Sequence, residues 1–350
     1  MNKPSARQER ILAILRSRGP ARVAELAREF DVSPITLRRD VEELARKEHV
    51  VRGHGVVRLP SSRRSDRAAG VVVVMAPSRS AYLAQIVKGA QEAVAELGLR
   101  WHLEDVGDRE TAGAAMRRAA RVPDALGALL FPRWRTTAAV EAEAEEADPV
   151  AGPPAVIVER FAPAGSVLTG FDAVRTDHAH GVLLALRHLR ELGHTRILLA
   201  ARNDSPTART IRATFVARLA DLGLPLIAEP LLSSAGADPD PDTRVPHLPA
   251  VVRATHATAL LAHSDVDALN LVQQLYAAGL QVPEDVSIVA YDDMIAGLGG
   301  LELTTVAPPK REVGREAVAL LLDRVERGGP VRHVELLPAL VDRGSTRIQN

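Results

Sequence analysis

Ser287-Ile288-Val289-Ala290-Tyr291-Asp292-Asp293 sets a short apolar run, Ile288–Ala290, one residue before two carboxylates. Comparable runs occur at Val71–Met75, Leu126–Phe131, Val156–Val158, Ile197–Ala200 and Ala259–Ala262. Between them lie stretches of helical periodicity, over 82–97, 110–121, 178–192, 207–222, 265–278 and 310–327. Short apolar runs alternating with helices predict α/β architecture, with parallel sheets covered on both faces. On such sheets ligands bind beyond the C-terminal strand ends, so the residues after each run are the informative ones. Here they are Ser78 to Tyr82, Glu159-Arg160, Ser264-Asp265 and Asp292-Asp293, polar and charged as a polar-ligand cleft requires.

Upstream of Gly70 the pattern is different. Val23, Leu26, Ala27 and Phe30 form one apolar helical stripe, and Leu37, Val41, Leu44 and Ala45 form another. Asp31-Val32 leaves room only for a tight turn, after which Ser33 can cap and Pro34 can open the second helix. An earlier helix, about Ser5 to Arg18, offers Ile11, Leu12, Ile14 and Leu15 to the same core and stops at Gly19-Pro20. Val50-Val51-Arg52, a Gly53-His54-Gly55 turn and Val56–Leu59 complete a hairpin, so the head reads as an N-terminal winged helix-turn-helix. The stripe leaves Ile35, Thr36, Arg39, Glu43 and Arg46 on the opposite side of the last helix, with Arg38 on its flank. That is the face a recognition helix presents to a major groove, where Arg can fork onto guanine and Ile35 can touch a thymine methyl.

Charge divides the chain in the same place. Residues 1–69 hold 16 Lys and Arg against 9 Asp and Glu, although the whole chain balances 44 against 44. A basic head on an acidic body is the asymmetry expected when only the head meets a polyanion. Pro60–Arg67 has no apolar periodicity and reads as an exposed tether. The expected organisation is residues 1–59 as the DNA-binding domain, 60–69 as linker and 70–350 as a ligand-binding and dimerisation domain. With 350 residues, 46% of them hydrophobic, and no cysteine, the chain is neither a disordered tail nor a disulfide-stapled module. Its apolar runs fall far short of the ~18 residues of a membrane span, and no secretory signal is recognisable, so a cytoplasmic location is expected.

The head motifs resemble a known family. Arg10-Ile11-Leu12, Val23-Ala24-Glu25-Leu26-Ala27, the string Val32-Ser33-Pro34-Ile35-Thr36-Leu37-Arg38-Arg39-Asp40-Val41 and Arg52-Gly53-His54-Gly55 are similar to the DeoR-type winged-helix domain. The resemblance implies DNA contacts from Ser33, Ile35, Thr36, Arg38, Arg39, Arg52 and His54. A second resemblance runs from about Gly70 to Thr346. Gly193-His194-Thr195-Arg196-Ile197, the string Gly279 to Asp293 with Val282-Pro283-Glu284-Asp285-Val286-Ser287 at its centre, Leu303-Thr304-Thr305-Val306 and Leu340-Val341-Asp342-Arg343-Gly344-Ser345-Thr346 are similar to the sensor domain of the LacI (lactose repressor) family. It implies a two-lobed, periplasmic-binding-protein-like fold with three crossovers and a sugar-sized ligand between the lobes. It also implies a homodimer, with the helix near Tyr82 to Leu97 at its contact. Carried over by position, Ser78, Tyr82, Glu159, Arg160, Ser264 and Asp292 contact the ligand. Arg209 and Arg212 flank the place of the family's cleft arginine, which here is Ile211.

Other clusters point to no chemistry. No P-loop, zinc-protease, nucleophile-elbow or cysteine-nucleophile signature is present, so no enzymatic activity and no cofactor or metal is expected. Asp177-His178-Ala179-His180 reads as a helix start with exposed imidazoles, Glu141 to Glu146 as a solvated helix face, and Ala235 to Asp242 as a loop. The functional expectation is a ligand-responsive transcriptional regulator, a repressor of carbohydrate-utilisation genes that binds double-stranded operator DNA. A sugar- or nucleoside-binding protein using the cleft alone, or a hydrolase, is the alternative.

Overall fold

Pro34 opens a helix because its missing N–H is no loss in the first turn, and Ser33 caps that turn by accepting the Thr36 N–H at 3.1 Å. The computed structural model in which this is seen describes residues 4–18, 21–30, 32–47, 49–53, 56–58, 70–78, 80–107, 110–134, 152–162, 165–234, 245–297 and 302–349. It divides into two units, Met1–Ala69 and Gly70–Asn350. His54, the stretch Pro60–Arg67, Glu141 to Glu146 and Ala235 to Asp242 lie outside the described residues.

The first unit contains α1 (Pro4–Arg18), α2 (Val23–Glu29) and α3 (Pro34–Arg46). A sheet of β1 (Ala21–Arg22), β2 (Val51–Gly53) and β3 (Val56–Arg58) joins them, with β3 antiparallel to both of the others. Ile11, Leu15, Leu26, Ala27, Leu37, Val41 and Leu44 fill its core, as the two stripes require. Two polar links hold α1 to α3. Asp40, buried within the Arg-Arg-Asp string, pairs with Arg7, and Gln8 donates to Glu43 at 3.0 Å. Glu43, expected on the outer face, is therefore turned to α1. It also takes the Lys47 ammonium at 3.0 Å, and both bonds hold its carboxyl below the usual range.

In the second unit a six-stranded sheet has the order β13-β8-β7-β6-β4-β5 and a five-stranded one β14-β12-β11-β10-β9. The first comprises β4 (Val71–Ala76), β5 (Arg100–Asp105), β6 (Ala125–Leu130), β7 (Ala155–Val158), β8 (Asp172–Thr176) and β13 (His333–Leu336), all parallel. The second comprises β9 (Ile197–Ala201), β10 (Ala259–His263), β11 (Ser287–Tyr291), β12 (Thr304–Ala307) and β14 (Ala339–Val341), of which only β14 runs antiparallel. Side chains alternate between the two faces. Val72, Val74 and Ala76 of β4 enter one core and Val71, Val73 and Met75 the other. Around the first sheet lie α4 (Ala81–Glu96), α5 (Ala112–Ala119) and α10 (Lys310–Arg327); around the second lie α6 (His178–Glu191), α7 (Pro206–Asp221), α8 (Leu248–Thr255) and α9 (Asp265–Ala277). The chain passes between the lobes three times, after β8, after β12 and after β13.

Apolar runs predict six of these strands and miss β5, β8, β12, β13 and β14, together with α8. Edge strands β5, β13 and β14 need no buried run, and β5 is exposed along most of its length. Strands β8 and β12 are internal but bury polar residues that find distant partners. Asp172 takes both ends of the Arg324 guanidinium, at 2.8 and 2.9 Å, and Thr304 donates to Asp342 at 2.8 Å.

Helices α4 and α10 cross at two glycines. A Cβ on Gly314 would stand 2.0 Å from the Ile86 carbonyl oxygen, and one on Gly89 2.1 Å from that of Arg311. Arg311 and Arg315 close the outside of the crossing onto Glu92 and Glu96. Gly314→Ala is therefore expected to destabilise the second unit by about 2–3 kcal/mol despite the better helix propensity of alanine. The denaturant midpoint of that unit should fall with its slope unchanged; an unmoved midpoint would mean that the two backbones do not meet there.

Candidate functional site

The outward side of α3 carries Ile35, 78% exposed, with Arg38 and Arg39 exposed beside it. Ser33 and Thr36 are half given over to capping, their hydroxyls 2.8 Å apart. Arg52 lies in β2. Among the described residues neither Arg38 nor Arg39 makes a hydrogen bond or an ion pair, so two guanidinium groups stand free at the start of one helix face.

In the second unit the strand ends converge on a buried carboxylate. Glu159 follows β7, is 2% exposed, and has φ 60°, in the left-handed region that non-glycine residues seldom enter. The Tyr82 hydroxyl, from α4, donates to its Oε1 at 2.8 Å. Thr176, at the end of β8, donates its backbone N–H and its hydroxyl to Oε2 at 3.3 and 3.4 Å. His178, the first residue of α6, donates Nε2 to Oε1 at 3.0 Å, and its Nδ1 lies 3.1 Å from the Tyr291 hydroxyl at the end of β11. Burial pushes the Glu159 carboxyl up, but His178, Arg160 and Tyr82 outweigh it and bring the pKa down to about 2. Tyr82 and Tyr291 are pushed well above the ordinary phenol value by burial and by nearby carboxylates, so both remain donors. Gly181 leaves room for Tyr291, since a Cβ there would sit 2.3 Å from its hydroxyl.

Asp292 follows β11 with φ 95°. Its backbone carbonyl accepts the Lys310 ammonium from α10, and its carboxylate lies 4.0 Å from His263 Nε2. Burial, reinforced by Asp265 and Glu159 and opposed by Lys310, raises its pKa to about 7. His263 is driven to about 4 by burial and by His178, and its Nδ1 is buried without a partner.

A cavity of about 290 Å³ opens beside this network. The first lobe contributes Trp134, Glu159, Arg160 and Phe161, and the second His178, Thr207 and Arg209. Of the expected ligand residues, Tyr82, Glu159, Arg160, Arg209 and Asp292 thus gather in or behind the cleft; three do not join them by contact. Ser78 is exposed after β4, its N–H donated to Asp105 at 2.6 Å. Arg212 spends its guanidinium on the carbonyls of Ala201, Pro230 and Leu231 at 2.7–3.0 Å, clamping the end of β9 to the chain beside it. Ser264 makes no capping bond, and the neighbouring Asp265 accepts the Met294 and Ile295 N–H groups, pinning the loop after Asp292.

Sequence patterning carries no signal for Tyr291, Lys310 and His263 as site residues, and marks His178 only as part of a helix start. His178 is buried, contrary to the exposed imidazole expected of a helix start, because the crossover after β8 carries it against Glu159. The expected cap is present, Asp177 accepting the His180 N–H at 2.8 Å. No group of side chains able to hold a metal occurs among the described residues.

The two carboxylates respond oppositely to pH. Glu159, lowered from 4.5, adds stability above that value which is lost as pH falls toward 2; Asp292, raised from 3.8, costs nothing well below that value and progressively more as pH rises through it toward 7. Asp292→Asn keeps a side chain tolerant of positive φ and removes the ionisable group. It should be stabilised relative to the parent by on the order of 2 kcal/mol more at pH 8 than at pH 5. Urea denaturation at the two pH values checks this, and a difference that does not change with pH would contradict the raised pKa.

The description of a DeoR-like helix-turn-helix domain fits residues 7–63, and that of a periplasmic binding protein-like domain fits residues 186–346. The transcriptional repressor PurR of Aliivibrio fischeri (strain MJ11) is 32% identical over 184 residues, covering 50% of this chain and 55% of PurR. The transcriptional repressor CytR of Escherichia coli K12 is 32% identical over 207 residues, 56% of each. The chain thus spans about half the length of these relatives. Among solved structures, a LacI family regulator from Enterococcus faecium with bound ribose superposes with a TM-score of 0.61 at 22% identity, covering 80% of this chain and all of the other. The lac repressor dimer bound to operator and the anti-inducer ONPF gives 0.63 at 23%, covering 83% and 99%. The chain therefore joins a DeoR-like helix-turn-helix domain to a periplasmic binding protein-like domain with the fold of the LacI-family regulators.

Proposed function

We propose that this chain is a ligand-responsive transcriptional repressor of carbohydrate-utilisation genes, acting in the cytoplasm as a homodimer on double-stranded operator DNA. In this reading residues 1–59 bind DNA, 60–69 tether them, and 70–350 bind a sugar or sugar derivative and hold two copies together. The observation that carries it is the pair of free guanidinium groups, Arg38 and Arg39, beside exposed Ile35 on one face of α3. Two arginines left without intramolecular partners on a positively charged unit suit guanine edges and phosphates. The names of the relatives, all repressors, and the operator-bound lac repressor support the same reading.

The cleft supplies the sensing half. Glu159 and Asp292 sit on opposite lobes, each at a strand end, the place where ligands reach parallel sheets. Because His178 and Lys310 already tie one lobe to the other, a ligand that replaces or reinforces those ties alters how the lobes close. The reading is of a regulator rather than an enzyme, since Glu159, His178 and Tyr291 are committed to one another rather than aimed at a substrate.

Arg39→Ala is expected to weaken binding to a duplex selected from a random pool by about 1–3 kcal/mol, with the fold unchanged by circular dichroism. Gel-shift titrations at several salt concentrations separate a base contact, which narrows the gap between selected and random duplexes, from a phosphate contact, which lowers both and reduces the salt slope by about one. Unchanged affinity for the selected duplex would remove this face from the interface. Sedimentation velocity of the full chain should give a dimer at micromolar concentration, and a monomer would overturn the assembly.

A further inference from the structure

The cavity walls are unequally satisfied. Its two carboxylates are already in use: Glu159 holds His178, Tyr82 and Thr176, and Asp177 caps α6. Arg175, also on the wall, donates to Glu335 at 2.8 Å. Arg160 is different. It is half-buried, and among the described residues no carboxylate lies within ion-pair distance of it. Its Nη1 donates to the Glu159 carbonyl and to the Thr207 hydroxyl, and its Nε is buried without an acceptor. Burial disfavours its charge, and although the nearby Glu159 carboxylate helps, Arg133 and Arg209 oppose it. A half-buried guanidinium with no carboxylate beside it, pressed by like charges, costs free energy that an anion in the cavity would lower by compensating its charge.

The opposite wall is suited to the same anion. Pro206, Thr207, Arg209 and Thr210 bring the first turn of α7 to the cavity, so its backbone dipole, two hydroxyls and a second guanidinium face the space beside Arg160. Arg209 is itself anchored, donating Nη2 to the Trp134 carbonyl at 2.7 Å, and Asp204 supports its charge. The volume of about 290 Å³ is at the small end of ligand cavities and excludes large occupants.

Building on the effector cleft proposed above, we propose that its ligand is anionic, a phosphorylated sugar whose phosphate is held by Arg160 and Arg209 at the first turn of α7. The planar arginine forks and a helix N-terminus together match the tetrahedral, multiply accepting phosphate better than they match neutral hydroxyls. The sugar hydroxyls then fall to the polar groups around Glu159 and Thr210.

The test is thermal shift and calorimetry on the full chain with ribose 5-phosphate, glucose 6-phosphate, ribose, glucose and inorganic phosphate, in the parent, Arg160→Met and Arg209→Gln. At least one sugar phosphate should raise the melting temperature and bind roughly ten- to a hundredfold more tightly than its neutral counterpart, with affinity falling as salt rises. Either variant should remove most of that preference while leaving circular dichroism unchanged; if one does not fold, the other and the salt dependence of the parent still decide. Inorganic phosphate alone should bind more weakly than the sugar phosphate. A chain unmoved by both sugar phosphates, or a preference that survives in a folded Arg160→Met, overturns the inference. If neutral sugars then stabilise the chain, the effector cleft stands without its anion; if no sugar does, both fall.

Discussion

A buried carboxylate organises the second unit. Glu159 is nearly inaccessible, and an ionised carboxylate so placed persists only if its lone pairs are met by donors of good geometry. Those donors come from four elements: Tyr82 on α4, Thr176 on β8, His178 on α6 and, one bond further, Tyr291 on β11. Two belong to the first lobe and two to the second. The condition that satisfies the charge is therefore also the condition that sets the lobes beside each other. Removal of one donor would leave the charge under-solvated, which is far costlier than the net worth of any one of these hydrogen bonds.

Asp292 occupies the corresponding strand end in the other lobe and is arranged in the opposite sense. Its carbonyl, not its carboxylate, takes Lys310, and the carboxylate is left among Asp265, Glu159 and a buried imidazole. One strand end thus holds a charge that is fully compensated and the other a charge that is not. Both residues have positive φ, a backbone strain that the surrounding network maintains and that recurs where ligands are clamped. The residues after Asp292 are fastened independently, Met294 and Ile295 to Asp265 and Asp293 to Arg343.

Several family-like motifs have structural work in this chain. Ser345 donates to the Ile288 carbonyl at 2.6 Å and accepts the Thr304 N–H at 2.8 Å, so the closing Asp342 to Thr346 string stitches β11 to β12. His194 bridges Thr258 and the Arg347 carbonyl. In the head, Asp40 of the Arg-Arg-Asp string fixes α3 to α1, which leaves the two arginines before it outward. These motif residues hold the frame of the two units.

Elements whose signal is local are legible in the amino-acid order alone. Apolar stripes at helical spacing, Ser33 before Pro34, and uninterrupted apolar runs specify α1 to α3, six of the eleven strands of the second unit and most helices, because burial and capping act within a few residues. Alternation of strand and helix then placed Glu159, Arg160 and Asp292 at strand ends. Which polar residues meet is set by long-range packing. Asp172 and Arg324 are 152 positions apart, His178 and Tyr291 113, and neither pairing leaves a trace in periodicity. For the same reason Arg212 reads from its position as a ligand residue and serves as a carbonyl clamp. His178 reads as an exposed helix start and lies in the core. A polar side chain's role depends on the partner that folding brings to it, and that partner is specified by the packing of whole sheets rather than by its neighbours in the chain.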